Sequence, residues 1–330
     1  MNLVRKIVEY LTHPRKIIIF FNCLGCGKLF PDKFYLKCLY RDRLSKKLNL
    51  RNPQTFNEKL QWLKLYDRKP EYTMMVDKYA VKSYVAEKIG EEYIIPTLGV
   101  WDRFEDIDFD ALPDQFVLKC THDSGGLVIC RDKSKFDRKA AQKKITRSLK
   151  RNYYWYGREW PYKNVKPRIL AEEYMKETSV SNLQQDITEA DVTSITCSRL
   201  QRQIGLLDYK FMCFDGKVKM CFLDIGVIGK ENGHAEEYYR NVYDRKGTLL
   251  PVKETRENYP QEIILPENYE EMIRIAEKLS AGIPHIRVDL YNMEQKIKFG
   301  ELTFFHGSGI SNVFHPEEWD EILGSWIELP

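Results

Sequence analysis

The stretch from Ile286 to Phe304 limits this chain's fold and chemistry more than any other. Ile286, Val288 and Leu290 alternate with Arg287, Asp289 and Tyr291, which makes a strand with one apolar and one polar face. Asn292 to Lys296 reads as a turn and Ile297 to Phe304 as the returning strand. Strict alternation puts Ile297, Phe299, Glu301 and Thr303 on one face of that second strand. Two carboxylates, Asp289 and Glu301, then lie on adjacent strands with Arg287 beside them. The plain reading of such a hairpin is a single wetted face. The sharper reading is a cation site, because Mg²⁺ is commonly held by one or two carboxylates together with substrate phosphates.

The chain has 330 residues, room for about two domains or one large α/β unit with an appendage. With 52 basic and 48 acidic residues its charge is too balanced for nucleic acid to be the main partner. The eight cysteines are scattered and no secretory cleavage site is evident, so free thiols in a reducing, cytoplasmic setting are expected. Ile17 to Phe21 comes closest to a membrane segment but is far too short to span one. It reads as a buried segment, with an interfacial anchor at the inner face of the membrane as the alternative.

Residues 1–70 read as a basic, helical N-terminal region. Gly25-Cys26-Gly27-Lys28 lacks the spacing of a phosphate loop, and Cys23-x-x-Cys26 has no second pair for zinc. Thr55 and Glu58 form a capping box ahead of Leu60, Trp62, Leu63 and Leu65. A second amphipathic helix is expected over 73–90, carrying Asp77-Lys78 near its start. Phe116 to Cys130 reads as a strand with Lys119, a loop from His122 to Gly126, and a second strand. A lysine in an apolar strand is costly unless it is paired or faces an anion, and glycines let backbone N–H groups approach a phosphate. A simple hairpin turn with a snorkelling lysine is the alternative.

A basic helix over 136–152 leads into Tyr153-Tyr154-Trp155-Tyr156, and Pro167 to Met175 reads as a strand. Residues 176–204 read as an inserted lid. Asp215-Gly216 is the turn of a hairpin whose first strand puts Asp208, Lys210 and Met212 on one face. A further hairpin over 237–252, a helix from Pro266 to Ala281 and a flexible loop at His306 to Gly309 complete the pattern.

Two cations, an anion-binding loop and two metal carboxylates are what a nucleoside triphosphate with Mg²⁺ requires. This order resembles the ATP-grasp superfamily and, more narrowly, the TupA-like ATP-grasp family, named for teichuronopeptide biosynthesis. The narrow match is carried by Asn52 to Trp62, Asp77 to Lys82, Leu112 to His122, Arg158-Glu159-Trp160, Lys166 to Tyr174 and Asp208 to Phe211. It covers roughly residues 30–315.

The resemblance implies an α+β ATP-grasp fold, two α+β subdomains gripping ATP between antiparallel sheets, behind the helical N-terminal part. The ATP-grasp domain is expected over 71–330, with one subdomain around 110–175 and the catalytic one around 205–315. By the same resemblance Lys78 and Lys119 contact the ATP phosphates, and His122, Ser124, Gly125 and Gly126 lie over them. Glu172, Glu173, Tyr174 and Met175 form the interdomain strand that reads adenine, Asp208 reaches the ribose and Lys210 approaches the phosphates. Asp289 and Glu301 hold Mg²⁺, with Thr303 where the family often has Asn, and Arg287 steadies a developing oxyanion.

The implied activity is an ATP-dependent carboxylate–amine ligase. It makes an amide through an acylphosphate, on a surface polysaccharide, capsule or peptidic polymer precursor. Its partners are a small-molecule or sugar-linked carboxylate and an amine. The basic and aromatic stretch over 139–160, with Arg147 and Arg151, is expected to receive the acidic acceptor. A phosphotransferase on the same scaffold and a sugar-nucleotide glycosyltransferase are the alternatives. The second usually shows an Asp-x-Asp at a strand end, whereas Asp106, Asp108 and Asp110 read as a solvated linker.

Overall fold

In the computed structural model, residues 14–23, 26–175, 206–226, 238–293 and 295–330 are described. The lid expected at 176–204 lies outside them. Helix α1 (Pro14–Cys23) packs the half-buried Ile18 and Ile19 against the buried Tyr35, Leu36 and Leu39 of α2 (Asp32–Leu44), while Phe21 of the same run is 44% exposed. Among the described residues no helix is long and apolar enough to cross a membrane. Helix α3 (Phe56–Tyr66) opens on the expected capping box: the Glu58 N–H donates to Thr55 Oγ1 at 3.2 Å, and the Thr55 N–H donates to the Glu58 carboxylate at 3.4 Å.

The single helix expected over 73–90 is two, α4 (Glu71–Val76) and α5 (Val81–Ile89). Asp77 makes the break. Its carboxylate accepts from the N–H groups of Tyr79 at 2.9 Å and Ala80 at 3.2 Å, and this local bonding competes with helix continuation. Lys78 sits in the break, and its N–H donates to the Thr121 carbonyl at 3.0 Å.

The first sheet contains β1 (Thr97–Trp101), β2 (Phe116–Cys120), β3 (Leu127–Cys130) and β4 (Ile169–Glu173), in the order β1-β4-β2-β3, all antiparallel. Helix α6 (Arg138–Leu149) covers one face, where Ile145 meets Phe116, Leu118, Ile169 and Ala171. By register Lys119 and Glu172 share the opposite face. The four-residue helix α7 (Tyr154–Gly157) lies between α6 and β4.

The second sheet contains β5 (Asp208–Phe214), β6 (Lys217–Ile225), β7 (Tyr239–Asp244), β9 (His285–Met293) and β10 (Lys296–Thr303), in the order β10-β9-β5-β6-β7. Asp215 (φ 47°) and Gly216 (φ 70°) are both left-handed, as a two-residue hairpin turn requires. Two short strands, β8 (Lys253–Glu254) and β11 (Phe314–His315), pair beside it. The hairpin expected over 237–252 is only half formed, since β7 meets its return at one bridge, Tyr243 to Leu249. Asp244 instead closes a tight turn, accepting from the N–H groups of Gly247 and Thr248. Helix α8 (Tyr269–Ser280) lays Met272, Ile273, Ala276 and Leu279 on the sheet's apolar face, joined by Leu60 of α3, Tyr72 of α4 and Val85 of α5. Cys120, Cys130, Cys213 and Cys221 are buried thiols.

His285 is part of this core. Its ring lies against Phe56 and Phe214, and Nδ1–H donates to the Cys213 carbonyl at 2.9 Å. Burial pushes its pKa down to about 3 from 6.5. The folded ring stays neutral while the unfolded one takes up a proton, so its contribution is full above pH 6.5 and is lost as pH falls towards 3. Between pH 6.5 and 4.5 the stability of the wild type, from urea unfolding, should therefore fall faster than that of His285→Gln, by up to about 1.4 kcal/mol per pH unit. Parallel slopes would remove His285 as an acid-sensitive group.

Candidate active site

The polar face of β9 meets β10 through one irregularity. Leu290 pairs with Phe299 and Asp289 with Glu301, so Gly300 is an extra residue in a β-bulge. Ile297 and Phe299 enter the core, Leu302 rejoins them there, and Glu301 and Thr303 turn to the other face beside Asp289 and Arg287. Strict alternation, which grouped Ile297 and Phe299 with Glu301 and Thr303, fails at this residue. A Cβ on Gly300 would lie 3.0 Å from the Tyr291 ring and 3.1 Å from the Asp289 carbonyl oxygen, so ring or backbone must give by a few tenths of an ångström to admit it.

The charged groups on this face form a closed ring. Arg287 donates from Nε to Asp289 Oδ1 at 2.6 Å and from Nη2 to Oδ2 at 2.7 Å. Nη2 also donates to Glu301 Oε1 at 3.0 Å, and Nη1 to His306 Nδ1 at 2.7 Å. Guanidinium nitrogens only donate, so His306 Nδ1 accepts and the ring proton sits on Nε2, 3.6 Å from Glu254. Arg240 joins Glu254 to Asp224, binding Asp224 at 2.5 and 2.7 Å. Asp224 lies 3.9 Å from Lys210 Nζ, and Lys210 returns to Asp289 at 2.9 Å while also holding Asp208. Burial alone would raise the Asp289 carboxyl, but Arg287 and Lys210 hold it at about 2. Burial pushes Asp208 up to about 6, against the pull of Lys210.

Carboxylates outnumber cations by one in this cluster. Asp208, Asp224, Glu254, Asp289 and Glu301 face Lys78, Lys210, Arg240 and Arg287, and the buried Oδ1 of Asp208 has no hydrogen-bond partner. Hard oxygens with a net negative balance suit Mg²⁺. Among the described residues no three His, Cys, Asp or Glu side chains gather as a full metal cage. Asp289 and Glu301, paired across the bulge, are two carboxylates that phosphate oxygens would complete around such a cation. The Thr303 hydroxyl donates to Glu301 Oε1 at 3.2 Å.

The first sheet forms the opposite wall. Glu172, buried, is held between Lys119 at 2.7 Å and Lys82 of α5 at 2.6 Å. Lys78 spans the two walls: its Nζ donates to the Asp123 carbonyl at 2.6 Å and lies 3.8 Å from Glu301. The loop from His122 to Gly126 exposes Ser124 and Gly125. The His122 ring turns away, with Nε2–H donating to the Ser148 and Arg151 carbonyls at the end of α6. What the loop presents is therefore backbone and Ser124. At the end of β4 Glu173 is exposed, and Tyr174 and Met175 are half-buried. Asp106, Asp108 and Asp110 are exposed, and Asp106 pairs with Arg103.

Beside Arg287, Glu301 and Thr303 lies a cavity of about 280 Å³, closed by Tyr153, Tyr156 and Glu159. Arg147 and Arg151 are exposed and do not line it. Sequence reasoning passed over Lys82, Asp224, Arg240, Glu254, His306 and Glu159 as site residues. Lys82 and Glu159 stood inside quoted motifs, whereas nothing local marks Arg240 or Glu254. In this geometry Gly300→Val should lower stability by about 1–3 kcal/mol with an unchanged denaturant slope, as overpacking does. A variant as stable as wild type would mean that the bulge does not depend on glycine.

Comparison with known proteins bears on this arrangement. The family model described as TupA-like ATPgrasp matches residues 58–188 and 196–328. No curated protein matches the chain. Among solved structures, an L-amino acid ligase from Bacillus licheniformis is 11% identical with a TM-score of 0.44, covering 86% of this chain and 57% of that one. D-cycloserine synthetase is 13% identical with a TM-score of 0.40, covering 76% and 70%. A D-alanine–D-alanine ligase from Bacillus anthracis, complexed with ATP, is 14% identical with a TM-score of 0.36, covering 70% of this chain. The chain spans 54% of the length of that last ligase, little more than half. Likenesses this distant carry no weight alone; the family match and the two antiparallel sheets do. The chain belongs to the TupA-like ATP-grasp family and has the α+β ATP-grasp fold.

Proposed function

We propose that this protein is an ATP-dependent ligase that joins a carboxylate to an amine through an acylphosphate. The observation that carries the reading is the convergence of both walls on one point. Lys78 touches the glycine loop of the first sheet and reaches Glu301 of the second, beside Asp289 and Arg287. A triphosphate between the walls meets Lys119 and the loop backbone on one side and the carboxylate pair on the other. Asp289 and Glu301 would hold Mg²⁺, which neutralises phosphate charge and orients the transferred group. The backbone from Glu172 to Met175 is the edge offered to adenine.

In the reaction a carboxylate oxygen attacks the γ-phosphorus and ADP leaves. The neutral amine nitrogen then attacks the acyl carbon, the bond from that carbon to the phosphate oxygen breaks, and the departing phosphate carries off the proton that the nitrogen loses as the amide forms. The protein's part is electrostatic. Four of the five N–H donors of Arg287 are committed to Asp289, Glu301 and His306, so its plane is fixed and one Nη1 donor remains for an oxyanion. Lys210, locked between Asp208 and Asp289, keeps its charge against burial and adds to the field at the phosphates. For the substrate class we keep the uronic-acid or peptide side-chain carboxylate of a polymer precursor, as the resemblance implies.

The test is calorimetric titration of Mg-ATP into wild type, Lys119→Ala and Glu301→Gln. Saturable binding by wild type is expected, weakened about tenfold or more (~1.4 kcal/mol) in each variant. A folded wild type that does not bind Mg-ATP would overturn the reading. Release of ADP with formation of an amide, over a panel of carboxylates and amines, separates the ligase from a phosphotransferase.

A further inference from the structure

The Arg158-Glu159-Trp160 motif has no part in the chemistry above, yet Glu159 lines the cavity beside Arg287 and Glu301. Its side chain is 3% exposed. Among the described residues it forms no salt bridge of its own. Lys64, a buried cation whose charge acts on Glu159, spends its Nζ on the Ser308 carbonyl at 2.7 Å, the Ser308 hydroxyl at 2.9 Å and Gln61 at 3.2 Å. The Ser308 hydroxyl donates to Glu159, and the charges of Lys64 and Arg287 act on it without a salt bridge. A buried carboxylate lacking a contact cation is expensive, and a cation entering the cavity would offset that cost.

The tyrosines Tyr153, Tyr156 and Tyr162 line the cavity beside Glu159, and its other charged groups are Arg43, Arg287 and Glu301. Tyr153 packs edge-on to Tyr162 at 4.9 Å between ring centroids and lies 6.3 Å from Tyr156. Glu159 shares the cavity lining with these rings, and its charge raises the Tyr153 hydroxyl. Tyrosine faces with a carboxylate among them are the chemistry that recognises an ammonium group.

Resting on the ligase reading, we propose that this cavity is the amine subsite. It takes a primary amine in its ammonium form, held by Glu159 and the faces of Tyr153 and Tyr156, next to the point where the acyl group is activated; one ammonium proton passes to the Glu159 carboxylate before the neutral nitrogen attacks. The assignment makes Glu159 and the tyrosines determinants of amine choice.

The probes are ethanolamine, L-alanine and D-glucosamine as ammonium ions, with ethylene glycol and D-glucose as neutral controls. Each is titrated by calorimetry into the nucleotide-free, full-length protein. At least one amine should bind wild type saturably while its neutral control does not. Its affinity should drop about tenfold or more in Glu159→Gln and several-fold in Tyr156→Ala, whose half-exposed ring can be removed without unfolding the chain. Mg-ATP affinity should be unchanged in both variants, which also verifies their folds. The proposal is overturned if no amine binds wild type, if the neutral controls bind equally, or if both folded variants keep full amine affinity. Because the amines are titrated without nucleotide, this failure is distinct from a failure to bind Mg-ATP.

Discussion

The two-pronged bond between Arg287 and Asp289 sets the terms for everything around it. Both groups are buried, and two charges taken out of water gain little unless every donor and lone pair finds a partner. The neighbouring residues supply those partners. Lys210 and Glu301 take the outer prongs, His306 receives one guanidinium N–H, and Glu254, Arg240 and Asp224 carry the alternation of sign back to Lys210. Taking one charge from such a ring leaves another uncompensated, at a cost of about 3–5 kcal/mol, so the ring is stable only as a whole. The strand register, the bulge at Gly300 and the tight turn at His306–Gly309 all serve to close it.

Position in the fold explains how a second wall comes to face this ring. Asp77 breaks a helix so that Lys78 leaves the helical surface and reaches both sheets. Lys82, a turn later on α5, reaches the opposite wall and meets Lys119 on the same carboxylate. A few residues at one helix break thus tie the glycine loop, the first sheet and the carboxylate pair to each other. The Asn52–Trp62 stretch contributes from further away. Gln61 and Lys64 of α3 hold the carbonyls of Ser308 and Gly309, and Asn57 is held in turn by Asp320.

What the sequence made legible depends on local rules. The alternation from Ile286 to Tyr291, the Asp215-Gly216 turn, the Thr55–Glu58 box and the apolar stripe of α8 each follow from a few adjacent residues, and each stands in the structure. The bulge could not be read, because an extra residue in one strand is defined by its partner. A flexible loop was expected at His306–Gly309 because glycines are permissive. The turn is buried because Gln61 and Lys64, far away in sequence, pin its carbonyls. Arg240 and Glu254 had no local signature, since their meaning lies in the Asp224 and His306 they join. Glu159 stood inside a recognised motif, but only packing against Ser308 and the tyrosines gives it an environment.

The double grip on Glu172 has a further consequence. Lys119 and Lys82 share one carboxylate, and Lys78 shares Glu301 with Arg287, so each of these lysines already has a partner within the protein. A polyanion arriving there exchanges partners with residues that were satisfied before it came. Were Lys119 to turn to a phosphate, as proposed above, Lys82 would still hold Glu172, and no stranded charge would oppose the move. Discrimination among anions then rests on whether their oxygens match the spacing of the released lysines, and little on how much charge they bring.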